Sequence, residues 1–261
     1  MSSERLDAYG PFMMNTAYKA GEIIRAGFDK EYDVAIKADD TPVTPIDKTI
    51  DFLVANTIHE AFPDDAYLGE ETGGDVTNGR LWVCDPLDGT KSYIAGLPLA
   101  AFSLSLIEEG EIVTSVIHDP FIDRTLIAAK DEGAWINGKQ ARVSDKRSLD
   151  KADINISWGD EGYLYRLSSL RKMGAKVMKV DATIYIGMLL SSGRLEGDIF
   201  TGTKLWDIAP QSLAVREAGG IATTLNGGPV PVTEDGEGLI ISNGYIHEDL
   251  LRIVRESRKG L

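Results

Sequence analysis

Residues 82–93 read WVCDPLDGTKSY, and the rest of the chain is organised around them. The run 81–84 is short and apolar, suited to a buried strand. It halts at Asp85-Pro86, because Pro86 fixes its own φ and pushes the residue before it towards extended geometry. Asp88 follows three residues after Asp85, and Gly89 and Thr90 come next. A tight turn there aims both carboxylates at one point, and Gly89 clears the backbone for a ligand. A helix starting near Thr90 would add free N–H groups facing the same spot, a setting that favours phosphate. One turn thus offers two hard oxygen ligands for a divalent cation, with an anion cradle beside them.

The 261 residues are 43% hydrophobic and 26% charged, enough for a large core in one long domain or two closely joined halves. Net charge is −14, and no Lys/Arg cluster supplies the basic face that nucleic acid needs. Most of the 41 acidic residues serve solubility, and a minority are candidates to collect metal ions. Cys84 is the single cysteine, so no intramolecular disulfide and no thiolate zinc site can form. Its place in the apolar run marks it as a buried core thiol. The histidines, His59, His118 and His247, are far apart, which disfavours a histidine-based zinc hydrolase. The N-terminal MSSERLDAYG is too polar for a secretory signal. The longest apolar stretch, 94–107, is broken by Gly96, Pro98 and serines and is too short to span a bilayer. The expectation is a soluble cytoplasmic protein with no membrane and no nucleic-acid partner.

Upstream of the central motif, Leu6, Tyr9, Met13, Ala17, Ala20 and Ile24 recur at helical spacing, predicting a helix from a Ser2 or Ser3 cap to about Phe28. The segment KADDTPVTPID (37–47) holds two prolines and reads as loop or extended chain. A helix with Ile50, Leu53, Val54 and Ile58 on one side follows, then a loop, PDDAYLGEETGG (63–74). Asp47, Glu70 and Glu71 therefore fall on loop-like segments, where each taken alone is an ordinary solvated acid. Downstream, 100–107, 112–118 and 124–130 read as strands, and Asn137-Gly138 marks a further hairpin. From about Leu149 strands and helices alternate, through a helix from about Asp207 to Ala218 and a closing helix at 248–256. The fold class is α/β, with an α+β N-terminal half built on an antiparallel sheet and an α/β C-terminal half. The charged stretch 144–151 is the boundary, giving halves 1–147 and 148–261. Asp207, in LWDIAP, falls where a helix begins; a helix N-cap is its ordinary role, and its outer oxygen can also ligate a metal.

The set GEET (69–72), WVCDPLDGTKSY (82–93) and LWDIAPQSLAVREAGG (205–220) resembles the inositol monophosphatase family, lithium-sensitive and magnesium-dependent phosphatases of sugars and nucleotides. GAWINGKQARVS (133–144) resembles its internal hairpin. The resemblance implies a layered αβαβα sandwich and a phosphomonoesterase that hydrolyses a small phosphate ester by metal-activated water. Two or three Mg²⁺ ions are implied. Glu70, Asp85 and the main-chain oxygen of Leu87 would hold the first, and Asp85, Asp88 and Asp207 the second. Glu70 could help position a weaker third. Asp47, Thr90 and Glu70 would be catalytic, with Asp47 and Thr90 paired to activate the attacking water. Asp88, Gly89, Thr90, Lys91, Asp181, Thr183 and Asp207 would bind the substrate.

Two departures bear on the leaving alcohol. Inositol-specific members more often have an uncharged residue where Lys91 stands, and some carry a ring-binding glutamate at the place of Phe200. Inositol 1-phosphate is the family default, and histidinol phosphate, adenosine 3′,5′-bisphosphate and fructose 1,6-bisphosphate are the rivals. A non-catalytic regulatory or scaffold member is a different class, disfavoured because none of Glu70, Asp85, Asp88, Thr90 or Asp207 is lost. A homodimer and lithium inhibition are expected from the resemblance alone.

Overall fold

The computed structural model describes residues 4–75, 79–157, 160–232 and 236–258. In chain order the first half holds α1 (Glu4–Gly27), β1 (Ala35–Ile36), β2 (Pro42–Val43), α2 (Pro45–Ala61), β3 (Ala66–Gly69), β4 (Arg80–Asp88), α3 (Thr90–Ile94), β5 (Ala101–Glu108), β6 (Glu111–Asp119), β7 (Arg124–Ala129), β8 (Gly133–Ile136) and β9 (Lys139–Gln140). The second half holds β10 (Asp153–Ser157), α4 (Asp160–Lys172), β11 (Lys176–Met178), α5 (Thr183–Ser191), β12 (Gly197–Thr203), α6 (Leu205–Glu217), β13 (Ile221–Thr224), β14 (Gly236–Ser242) and α7 (His247–Arg258). The expected Ser2 or Ser3 cap lies outside the described residues.

Besides the two-stranded antiparallel pair β1-β2, strands β3 to β9 form one large sheet in sequence order, and β11-β10-β12-β14-β13 form the other. Every residue of β4 after Arg80 is buried, because both faces of its sheet are covered. Leu81 and Val83 point to one apolar cluster with Ala182, Ile184, Met188 and Leu213. Trp82, Cys84 and Leu87 point to another with Met13, Ile24, Ile50 and Val54. Helices α1 and α2 therefore cover the outer face of the first sheet, and α5 and α6 lie between the two sheets. Helices α4 and α7 cover the outer face of the second. The result is five layers, αβαβα, with an apolar seam between each pair.

Three local expectations are corrected. Residues 66–69 are not loop but strand β3, paired in parallel with β4 from Ala66↔Leu81 to Gly69↔Cys84. The first sheet is thus antiparallel except at this edge. Helix α2 begins at Pro45, so Asp47 stands in its first turn, not in a loop. Pro at the first helical position is a start signal, since its missing N–H would find no partner there anyway. Helix α6 likewise begins at Leu205, with Lys204 as N-cap and Asp207 two residues inside.

Phe200 is fully buried on β12, among Ile186, Leu190, Ile208, Leu239 and Ile241. It belongs to the core, not to a substrate pocket. Glu196 is turned to Lys146 and the Asp153 N–H, at 2.9 and 2.6 Å. Asp198 is fully buried and accepts from Asn155 Nδ2 at 3.0 Å. Burial pushes the Asp198 carboxyl up to about 8.

Two outcomes are expected. Phe200→Ala should cost about 3–5 kcal/mol of stability in a urea titration while leaving the ranking of substrates unchanged; a changed ranking would return Phe200 to the pocket. Asp198 keeps its proton in the folded chain up to about pH 8 and releases it near 3.8 when unfolded. Its contribution to stability is therefore full below about pH 4 and is lost as pH rises to about 8. Asp198→Asn should flatten that slope, and its urea midpoint should exceed the wild type's by more at high pH than at low pH. Parallel curves would show that Asp198 is charged within the fold.

Candidate active site

Asp85 and Asp88 are three residues apart, an odd spacing that would put them on opposite faces of a regular strand. The strand does not end at Cys84, as its sequence suggests, but runs on through Asp88 with a bulge. Asp85 pairs with Ser103 and Asp88 with Ala101, so β4 has one residue more than β5 between these points. The extra residue turns both carboxylates towards the layer of α5 and α6. The Leu87 N–H donates to Asp85 Oδ1 at 2.9 Å and closes the bulge. Asp88 Oδ2 accepts the Tyr185 N–H, in the first turn of α5, at 2.8 Å. Gly89 then takes φ 87° as the N-cap of α3. A Cβ there would stand 2.6 Å from the Leu99 carbonyl oxygen, so no other residue fits without movement.

Three further elements bring acids to this point. Glu70 follows β3 directly, and its N–H donates to the Cys84 carbonyl at 3.2 Å. Asp47 accepts the N–H of the N-cap Thr44 at 2.9 Å, which anchors it at the head of α2. Asp207 does the same at the head of α6, accepting the Lys204 N–H at 2.9 Å. Thr90 Oγ1 lies 3.1 Å from Asp47 Oδ1 and 2.9 Å from the Leu87 carbonyl oxygen. Lys37 Nζ reaches over to Glu70 at 2.6 Å and Glu71 at 2.9 Å.

The acids disturb one another. Burial, and then the charges of Glu70, Asp88 and Asp207, hold the Asp85 carboxyl well above the usual carboxylate range. Asp88 is pushed up to about 8 by burial, with Asp207 and Glu70 adding to it against the Tyr185 N–H. Glu70 is pushed up to about 7, because burial outweighs the Lys37 ammonium. Asp47 is raised by burial, against its Thr44 bonds. Burial alone would lower the Lys37 ammonium, but Glu70 and Glu71 outweigh it and hold it above its ordinary range. Burial also keeps Cys84 a neutral thiol, which removes it as a nucleophile.

A cavity of about 470 Å³ opens over these groups. Glu70, Asp85, Leu87, Asp88, Gly89, Thr90, Lys91, Asp181 and Asp207 all line it, each one expected from the sequence. Thr183 does not: it begins α5 behind Ala182. Asp47 reaches the cavity only through Thr90. Lys204 and Trp206, which the sequence reading passed over, also line it. Among the described residues, no three His, Cys, Asp or Glu side chains already converge as a closed metal cage. Instead Lys37 sits on Glu70, and Asp85, Asp88 and Asp207 each turn one oxygen onto a backbone N–H. The sequence reading also missed Asp51, fully buried one turn after Asp47. Its mark was an acid on the apolar stripe of α2, beside Ile50 and Val54.

Comparison with known proteins gives one consistent result. The sequence model of the inositol monophosphatase family matches residues 6–259. A fructose-1,6-bisphosphatase/inositol-1-monophosphatase of Thermotoga maritima is 32% identical over 82% of each chain. A histidinol-phosphatase of Mycobacterium tuberculosis is also 32% identical, over 90% of this chain and 93% of its own. The solved structure of a Thermotoga maritima IMPase superposes with a TM-score of 0.90 at 27% identity, over 98% of this chain and 99% of that one.

Proposed function

The chain belongs to the inositol monophosphatase family, whose relatives include phosphatases, and we propose that it is a Mg²⁺-dependent phosphomonoesterase acting on a small phosphate ester. The observation that carries this is that Glu70, Asp85, Leu87, Asp88 and Asp207 line one cavity, with Gly89 and Thr90 beside them. Inositol 1-phosphate is the first candidate substrate.

The donor set fits a hard cation. No cysteine or histidine lines the cavity, and Mg²⁺ prefers carboxylate, carbonyl and water oxygens. The buried acids resist ionising together, and a divalent cation removes that cost. Glu70, Asp85 and the Leu87 carbonyl would hold one ion; Asp85, Asp88 and Asp207 would hold a second. Glu70 would exchange its Lys37 partner for the ion. Bound there, Mg²⁺ supplies Lewis-acid stabilisation of phosphoryl oxygens and makes water a better nucleophile at neutral pH.

The chain's own residues do the rest. Gly89 and Thr90 present N–H groups to the phosphate at the start of α3, and the bare Gly89 lets it come close. Thr90 Oγ1 would take a proton from the attacking water, and Asp47, 3.1 Å away, would receive the threonine's own proton. The raised affinity of Asp47 for a proton suits that role. Lys91 and Lys204 at the cavity wall would attract an anionic substrate.

Two features favour a second reading of the leaving group. Phe200, apolar and in the core, stands where some inositol-hydrolysing members carry a ring-binding glutamate. Lys91 adds a cation where an inositol-specific site would have a neutral residue. Histidinol phosphate, a 3′,5′-bisphosphate nucleotide and fructose 1,6-bisphosphate are therefore the alternatives.

Phosphate release with and without Mg²⁺ from these four esters is expected to be cation-dependent and to single out one. Asp88→Asn should lower kcat at least about a hundredfold with an unchanged circular dichroism spectrum; near-normal turnover would sink the two-cation reading. No Mg²⁺-dependent release from any of the four would leave another phosphate ester or a regulatory, non-catalytic member, and metal titration would separate those two.

A further inference from the structure

Asp51 lies on the same helix as Asp47, one turn later, and is fully buried. Burying an acid is costly unless donors surround it, and here both oxygens are served. Oδ2 accepts the N–H groups of Glu71 at 2.6 Å and Thr72 at 2.9 Å. Oδ1 accepts the Thr72 hydroxyl at 3.0 Å and the Tyr67 hydroxyl. Three of these four donors belong to the two residues that directly follow Glu70.

The other side of Glu70 is fixed as well. Gly69 and Gly73 exchange backbone hydrogen bonds at 2.9 and 3.1 Å, which closes the turn. A Cβ on Gly69 would collide with the Asp51 carboxylate, so the glycine is what allows the acid to approach. The Glu70 N–H is held by Cys84. Helix α2 thereby grips the Glu70 turn through Asp51 and the Thr90 hydroxyl through Asp47, with one rigid turn of helix between the two acids.

We propose that Asp51 is a positioning residue: it clamps the 70–72 turn so that the Glu70 carboxylate stands ready for the cation, and fixes its distance from the Asp47–Thr90 pair. This rests on the reading of Glu70 as a cation ligand. A buried partner that orients a ligand typically contributes 10–100-fold in metal affinity. Asp51 does not itself line the cavity.

The experiment is calorimetric titration of Mn²⁺ alone into the full chain, with thermal melts of the metal-free protein. Glu70→Gln is the reference and should weaken binding. Asp51→Ala should weaken it by about tenfold or more. Asp51→Asn should restore most of the affinity. Its carbonyl can accept both backbone N–H groups while its amide faces the two hydroxyls, which can also accept. Thr72→Val removes one clamp and should weaken binding roughly two- to tenfold, the worth of one net hydrogen bond. Tyr67→Phe removes the donor outside the turn; it should lower the melting temperature and leave Mn²⁺ affinity at the wild-type value. Thr72→Val decides the matter if Asp51→Ala does not fold. Wild-type affinity in Asp51→Ala or Thr72→Val, with Glu70→Gln weakened, would overturn the clamp alone. Wild-type affinity in Glu70→Gln would overturn the ligand reading and the clamp with it.

Discussion

One extra residue in β4, between its pairings with Ser103 and Ala101, governs the chemistry of this protein. Without it, Asp85 and Asp88 would face opposite layers, one towards α1 and α2 and the other towards α5 and α6. With it, both acids meet in the middle layer, where the heads of two helices also arrive. The cost is electrostatic. Acids that would ionise freely in water are held back by burial and by each other. Backbone N–H groups from Leu87 and Tyr185 offset part of that cost. The rest remains as an affinity for positive charge, which Lys37 answers at Glu70.

Asp47 and Asp207 show how a helix and a site share one residue. Each stands in the first turn of its helix and accepts the N–H of its N-cap. The position satisfies a backbone donor that the helix leaves without an internal partner. It also fixes the side chain close to where the helix dipole favours negative charge. Local helix chemistry and the placing of the acids are therefore the same interaction, and neither acid depends on a mobile loop.

Much of this was legible in the sequence, and the exceptions have physical causes. Asp85 and Asp88 stood out from their spacing beside Gly89-Thr90, whereas Glu70 and Asp207 were singled out only by the resemblance of GEET and LWDIAP to the family's motifs. The hairpin strands between 100 and 130 were plain from their long apolar runs. The bulge was not, since Asp-Pro-Leu-Asp-Gly carries the residues of a turn and of a distorted strand alike. Strand β3 was hidden by its four-residue length and its acidic flanks. The face taken by Phe200 could not be read, because period-two alternation gives two faces without saying which meets which layer. Asp51 was marked only by its place on the apolar stripe of α2, and the 70–72 turn that gives it its partners could not be read from the sequence.

Every strand of the first sheet lies before residue 141, while the two helices that cover its inner face lie at 183–191 and 205–217. Synthesis runs from the N-terminus, so the ribosome releases the sheet before its lid. At about 5–20 residues per second, the uncovered apolar face persists for several seconds. In that interval Leu81, Val83 and Ile117 have no partner layer, and their apolar surface stays open to water. The same order makes Asp207 the last acid to arrive. The nascent chain cannot complete the cavity until its interior is closed.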